Sequence, residues 1–442
     1  MKFILTCLCF VIFSLAAFPQ TPEQALATAN GRQFTVGDLP PAVGEEYVNL
    51  SKTVAEMRKA LLEQEIIEAV FEAEAKSKGL SIEKLLDQIK AKVPAPAERD
   101  VQAVYEANRE KIGTRTLAEV RPQIVALLRQ EPEEKALVET FNVLKAKYKV
   151  VPGKDVNALS LKATDVLATI GAKTITVRDF EERNKIALFE TKAKVFDKVK
   201  YALNELIYNA LVVAEAKALN VETSDLIARE VTDKVRDYST DERQQLETNL
   251  RKTLSAKYKT QILLKEPVPP VLNIGTENAP FKGAATAPVT IVMFSDFQCS
   301  ACAATHPVLK KVLAEYSAEK VRFVVRNFPL TSIHENAFQA ARAANAAHAQ
   351  GKFFEFTEIL YRNQSALDAE SLKKYAGEAG LNLRQFELDL QSEKTSAAVR
   401  KDMADGAGFG INATPTIYVN GVKVRVLTAD GFREAIDKAL KK

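Results

Sequence analysis

Val289-Thr290-Ile291-Val292-Met293-Phe294-Ser295-Asp296-Phe297-Gln298-Cys299-Ser300-Ala301-Cys302 is the stretch on which the reading of this chain turns. Its first six residues form a compact β-rich run. The segment from Cys302 to Tyr316 then has helical spacing, so the cysteine pair falls where a strand ends and a helix begins. Val321-Arg322-Phe323-Val324-Val325 reads as a second strand, and residues from about 335 to 408 as helical and Ala-rich. Thr416-Ile417-Tyr418-Val419 and Gly421-Val422-Lys423-Val424 read as a hairpin about Asn420-Gly421, followed by a last helix over about 429 to 441. This order predicts an α/β domain with a helical insertion.

A disulfide exchanges when a thiolate attacks one of its sulfurs, so one cysteine of an exchanging pair must be exposed and largely deprotonated. The unpaired N–H groups and the dipole of the following helix favour negative charge at Cys299. Cys302, one helical turn later, can reach the same sulfur to close the ring or to resolve a mixed disulfide. Ser300 and Ala301 are small and neutral, and no histidine lies between the cysteines. The other use of a lone CxxC is half of a zinc site. Zinc normally needs four ligands, and the further candidates, His306, His334 and His348, form no paired motif that completes the set. No metal or other cofactor is therefore expected. His306, four residues after Cys302, is read as a packing or surface residue.

The N-terminus predicts the compartment. Lys2 precedes an apolar run from Phe3 to Phe13, and the small residues Ser14, Ala16 and Ala17 follow. Residues 1–17 thus read as a secretory signal peptide. The run is shorter than the about 20 residues of a spanning helix, so no stable membrane span is expected after its removal. Thr6 and Leu8 are poor residues to precede a lipidated cysteine. With Cys7 and Cys9 removed, Cys299 and Cys302 are the remaining thiols, in an oxidising compartment where stabilising disulfides usually join distant segments. A bond between residues three apart closes almost no loop and contributes little stability. The pair is there for its chemistry.

A length of 442 residues predicts two or three domains. The composition, 47% hydrophobic and 27% charged, is that of an ordinary globular protein. A net charge of +4 without an interleaved basic–aromatic patch gives no reason to expect nucleic acid as a partner. Residues from about 24 to 266 read as all-α and contain an internal repeat. A shift of 141 positions lays Thr35-Val36-x-Asp38 on Thr176-Val177-x-Asp179, and Ala73-Glu74-Ala75-Lys76 on Ala214-Glu215-Ala216-Lys217. Ala146-Lys147-Tyr148-Lys149 matches Ala256-Lys257-Tyr258-Lys259 at a shorter shift, so the second copy lacks about 31 residues. Each copy opens with a short turn-like stretch and continues as a long amphipathic helix, marked by Leu62/Ile66/Val70 and by Leu203/Ile207/Leu211, whose apolar stripes read as core packing. The expected divisions are a first helical repeat over 18–152, a second over 165–266, a Pro-rich linker over 267–278 and a C-terminal domain over 279–442.

Two resemblances follow. Ala29-Asn30-Gly31-Arg32-Gln33-Phe34-Thr35, Asp100 to Asn108 and Leu117 to Ile124 resemble the SurA-type periplasmic chaperone domain. Only Arg109 to Thr116 separates the last two segments, where those families usually carry a parvulin prolyl isomerase, so isomerase activity is not implied. The C-terminal domain resembles the DsbA-like family of exported oxidoreductases. The resemblance rests on Pro280-Phe281-Lys282-Gly283, Ala287 to Val292, Phe294 to Cys299, Asn327 to His334, and Ala413-Thr414-Pro415-Thr416-Ile417. It implies a thioredoxin fold, catalytic Cys299 and Cys302, and a cis bond at Pro415. Thr414 would offer backbone hydrogen bonds to a substrate strand. Many relatives carry an acid six residues before the first cysteine, where this chain has Met293, which cannot take a proton.

The expected function is that of an exported, periplasmic thiol–disulfide oxidoreductase that forms or shuffles disulfides in unfolded or cysteine-containing exported proteins. A redox partner not identified by the sequence would reset the pair, and the helical region would hold clients. A holdase chaperone with an accessory thiol domain and a disulfide reductase are the alternatives.

Overall fold

The computed structural model describes residues 21–236 and 240–441. The expected signal peptide, with Cys7 and Cys9, lies outside the described residues. The chain divides between Glu266 and Pro267 into two compact units.

The first unit opens with a hairpin, β1 (Ala25–Ala29) and β2 (Arg32–Thr35). It turns at Asn30 and Gly31 with φ of 50° and 73°, the left-handed pair that a two-residue turn requires. Helices α1 (Pro41–Val48), α2 (Leu50–Ser77), α3 (Ile82–Lys90), α4 (Glu98–Ala107), α5 (Arg109–Ile112) and α6 (Leu117–Lys147) follow, closed by the two-residue strand β3 (Val151–Pro152). A second hairpin, β4 (Val166–Ile170) and β5 (Lys173–Thr176), leads into α7 (Val177–Leu219). This 43-residue helix starts at a capping box between Thr176 and Asp179 and ends at Asn220 in the left-handed region. α8 (Thr223–Glu230), α9 (Thr240–Lys257) and β6 (Gln261–Ile262) complete the copy.

The helical reading of this region holds, with an addition. The openings of the two copies, read as turn-like, are hairpins whose strands of four and five residues are too short to display a convincing alternation. Each belongs to a three-stranded sheet, and the copies are interlocked through these sheets. The strand closing the second copy pairs with the hairpin of the first, Ala27 opposite Ile262. The strand closing the first copy pairs with the hairpin of the second, Val151 opposite Thr169. The cores follow the same exchange. Leu26, Phe34 and Val36 pack with Leu203, Ile207 and Leu211 of α7 and with Leu254 of α9. Leu167, Ile175 and Phe180 pack with Val70, Phe71 and Ala75 of α2 and with Leu144 of α6.

The duplication extends to single bonds. Glu74 Oε2 accepts from Lys147 Nζ and from the Tyr148 hydroxyl at 2.9 Å. Glu215 Oε2 accepts from Lys257 Nζ at 2.6 Å and from the Tyr258 hydroxyl at 2.9 Å. The extra residues of the first copy are α4, α5 and the start of α6, which enclose their own small cluster of Val101, Tyr105, Val120 and Ile124.

The second unit is built on a five-stranded sheet of order β11-β10-β8-β9-β7. Its strands are β7 (Phe281–Lys282), β8 (Val289–Ser295), β9 (Val321–Asn327), β10 (Thr416–Val419) and β11 (Val422–Lys423). β8 and β9 run parallel, joined through α10 (Ser300–Leu313), and β10 returns antiparallel on the other side of β8. Five helices form the insertion between β9 and β10: α11 (Ala337–Ala349), α12 (Phe353–Arg362), α13 (Ala369–Glu378), α14 (Leu383–Gln391) and α15 (Glu393–Gly408). α16 (Ala429–Leu440) ends the domain. The alanines of α11 let it approach the other insertion helices closely, and seven of them are buried. Alternation along β8 places Ile291 and Met293 in the core that also holds both cysteines, whereas Phe294 faces Phe328, Phe409 and Tyr418. Among the described residues no helix is long and apolar enough to cross a membrane.

Candidate active site

Cys299 is the N-cap of α10, and its carbonyl accepts from Cys302 N at 3.1 Å and Ala303 N at 3.2 Å. The position is the one expected from the change of period at the end of β8. Both cysteines are free thiols. The expectation of an exposed Cys299 needs correcting, because the residue is only 8% exposed. Its Sγ donates to the Thr414 carbonyl at 3.4 Å, so the loop before β10 leans over it. The Thr414–Pro415 bond is cis, as the resemblance implies. The structure therefore brings all four predicted site residues together, with the backbone of Thr414 against the first sulfur.

Cys302 lies beneath, with no exposed surface. Burial pushes its thiol up to about 12, because a thiolate there would lose its hydration. The nearby Asp296 N–H and the Ser295 and Thr414 hydroxyls oppose that shift, while negative charge on Cys299 adds to it. Thr414 Oγ1 is buried and has no hydrogen-bond partner among the described residues. Met293 is fully buried in the same core and pairs across the sheet with Ile417 and Val325.

The turn carrying Cys299 is held from three directions. Asp296, 1% exposed, accepts from Gln298 N at 2.7 Å and Leu330 N at 2.8 Å, and its Oδ2 lies 2.7 Å from His334 Nδ1. Gln298 Oε1 accepts from Asn336 N at 2.9 Å. Gln364, just beyond α12, donates to the carbonyls of Phe297 at 2.9 Å and Cys299 at 2.8 Å. A further residue of α12, Tyr361, places its hydroxyl 2.6 Å from Ser295 Oγ.

Ser295, Tyr361 and Gln364 were not singled out from the sequence. Alternation could have found Ser295, which falls on the face of Met293 two residues closer to the cysteines. Nothing local marks Tyr361 or Gln364, which reach the site from an insertion about 60 residues downstream. His306 packs as expected: it is 8% exposed, its ring centroid lies 4.8 Å from that of Tyr361, and its Nε2 lies 3.0 Å from Glu358 Oε1. His348 packs edge-on to Phe353, and burial lowers its pKa. The three histidines are thus dispersed. Among the described residues no group of three or more His, Cys, Asp or Glu side chains gathers as a metal site.

Residues 275–438 match the family described as Thioredoxin. Among curated proteins, the chain is similar to the Na(+)/H(+) antiporter NhaA 1 of Mycolicibacterium gilvum, 36% identical over 154 residues. That alignment covers 34% of this chain and 25% of the antiporter. A second similar protein is the Na(+)/H(+) antiporter NhaA 3 of Salinispora tropica, 35% identical over 140 residues, with 32% and 21% of the two chains covered. The match thus spans a quarter or less of these relatives. Among solved structures, a thioredoxin-like oxidoreductase from Silicibacter pomeroyi is 29% identical, with 38% of this chain and 94% of that one covered and a TM-score of 0.35. BdbD from Bacillus subtilis is 25% identical, with 39% and 99% covered and a TM-score of 0.36. The C-terminal part of this chain is a thioredoxin-like domain, with Cys299 and Cys302 at the start of its first helix.

Proposed function

We propose that the chain is an exported thiol–disulfide oxidoreductase that forms or shuffles disulfides in folding client proteins through Cys299 and Cys302. The observation that carries this reading is the unequal setting of the two sulfurs. Cys299 lies at a helix N-terminus under the carbonyl of Thr414, and Cys302 lies below it, fully buried with a raised pKa. Attack from outside therefore falls on Cys299, and Cys302 is the internal partner.

In the oxidised enzyme a client thiolate attacks Cys299 Sγ. The Cys299–Cys302 bond breaks, and its electron pair leaves on Cys302 Sγ. A second client thiolate then attacks the client sulfur of the mixed disulfide and releases Cys299 as thiolate. The client loses two electrons and two thiol protons, and the enzyme gains the electrons. A disulfide on a redox partner returns the pair to its oxidised state by the reverse exchange. The Thr414 backbone, which holds the Cys299 thiol in the reduced form, would pair with a client strand beside Pro415.

The helical unit would hold unfolded clients near the cysteines and so raise their effective concentration. The SurA-type resemblance of its first copy supports this role. So do the solvent-exposed apolar side chains Leu127 and Val138, which stand three turns apart on one face of α6.

The test is catalysed oxidation of a reduced, unfolded disulfide protein in a glutathione buffer. Mature protein should accelerate recovery of the folded client, Cys299→Ser should abolish the effect, and Cys302→Ser should accumulate mixed disulfides. Acceleration that survives Cys299→Ser would contradict the proposal.

A further inference from the structure

The helical unit contains the same interface twice. α2 and α7 run antiparallel, with Glu72 beside Lys173, Glu65 beside Asn184 and Met57 beside Thr191. The pairing continues onto α1, where Lys198 Nζ donates to Glu46 Oε2 at 2.6 Å. The 141-residue shift interchanges the two ends of this pairing, so that Asn184 corresponds to Val43 and Glu65 to Leu206. One end seats the first hairpin on α7, and the other seats the second hairpin on α2.

The two ends are alike in framework and unlike in chemistry. At the first, Val43 and Leu206 pack against the core around Phe34, Leu203 and Ile207. At the second, the corresponding places hold Asn184 and Glu65, each 7% exposed. Asn184 Nδ2 donates to Glu65 Oε1 at 2.5 Å and to the Phe180 carbonyl at 2.9 Å. Outward from that pair, Glu68 binds Arg183, and Glu72 accepts from Lys173 Nζ at 2.8 Å. The positions on α7 that correspond to Glu68 and Glu72 are the uncharged Asn209 and Val213. One difference runs the other way: the Glu46–Lys198 ion pair of the first end is replaced by Ala187 and Met57 at the second.

We infer that these paired differences are a recognition code that seats the first copy on the second and rejects the like copy of another chain. A duplicated unit of this kind can satisfy its hairpins in two ways. In the observed way, the two copies of one chain serve each other. In the other, two chains associate through the same antiparallel helices, first copy on first and second on second. That dimer would set Val43 of each chain against a Glu65 carboxyl, Asn184 against Leu206, and Glu46 against Met57. The weight of the code lies in the buried pair. A carboxyl or amide enclosed without a partner gives up its hydration and receives nothing in exchange. The side chains of Arg183–Glu68 and Lys173–Glu72 are roughly half in water and add little.

The test rewrites the code in the full mature chain. Val43→Asn with Asn184→Val mismatches both ends of the interlocked unit and matches both interfaces of the like-with-like dimer. Adding Glu65→Leu and Leu206→Glu matches the interlocked unit again, with its two ends interchanged. Molecular mass by light scattering and melting temperature are read for wild type, the double variant and the quadruple variant. A crosslink reports the pairing directly, from Thr28→Cys with Val151→Cys in chains that also carry Cys299→Ser and Cys302→Ser. In the interlocked unit Thr28 lies opposite Gln261 and Val151 opposite Thr169, so a disulfide joining 28 and 151 of two chains marks like-with-like pairing.

Wild type and the quadruple variant should be monomeric, melt alike and give no such crosslink. The double variant should form the crosslinked dimer at least about tenfold more than wild type, the weight of enclosing an unpaired carboxyl. A double variant that folds without the crosslink would overturn the inference, whatever its melting temperature. So would a wild type that crosslinks between chains. If the double variant does not fold, a wild-type-like monomer in the quadruple variant supports the code, and a quadruple variant that also fails overturns it. None of these readouts depends on the chemistry of the Cys299–Cys302 pair.

Discussion

Cys299 and Cys302 are separated by one helical turn, yet access and desolvation treat them differently. Cys302 is enclosed by the sheet, by α10 and by side chains of α12, and burial lifts its thiol to about 12. In the reduced folded protein at pH 8, iodoacetamide should therefore modify Cys299 alone, and Cys302 should react only once the domain is unfolded. Two equivalents taken up at equal rates in the folded state, read by mass, would contradict this asymmetry. The cysteines and the proline loop were legible because each is a local signal: two thiols at a change of period, and a proline before a β-rich run. Tyr361 and Gln364 were not, because what makes them part of the site is the packing of an insertion helix against β8 and the turn that follows it.

Secondary-structure elements are joined by charged contacts whose weight can be measured. Arg326 on β9, 4% exposed, binds Asp402 and Asp405 of α15 and the carbonyl of Gly275, with its guanidinium over the ring of Phe294. Replacing it with Met leaves two carboxylates facing an apolar side chain, and the thioredoxin-like domain should lose about 3 kcal/mol in urea denaturation. A loss below about 0.5 kcal/mol would mean that water replaces the guanidinium at no cost. In the helical unit the lysine and tyrosine hydrogen bonds around Glu74 hold its carboxyl at about 2, below the ordinary 4.5. A depressed carboxyl stabilises the fold above its unfolded pKa, and that stability is lost as pH falls. The melting temperature of the unit should accordingly drop between pH 4.5 and 2, and Glu74→Gln should flatten the drop. An unchanged profile in the variant would assign the acid sensitivity to other groups. The duplication was legible because the helical stripes and the Ala-Glu-Ala-Lys motif recur at a 141-residue shift and the Ala-Lys-Tyr-Lys motif recurs at a shorter one. The interlocking of the copies stayed hidden, since strands of two residues leave no pattern in a sequence.

The whole chain joins an interlocked helical unit to a thioredoxin-like domain with its own hydrophobic core. If the helical unit serves to hold clients, a chain lacking residues 18–266 should keep its activity on small disulfides and lose most of its activity on unfolded proteins. Equal loss on both substrates would count against that division of labour. The account stands or falls on the redox couple itself. The most direct measurement is the reduction potential of Cys299–Cys302 in mature protein, by glutathione equilibration and alkylation. The account predicts a reversible two-electron couple closer to the about −120 mV of strong oxidants than to the about −270 mV of thioredoxin. A value near the latter would reverse the proposed direction of electron flow, and failure to form any reversible disulfide would contradict the central claim outright.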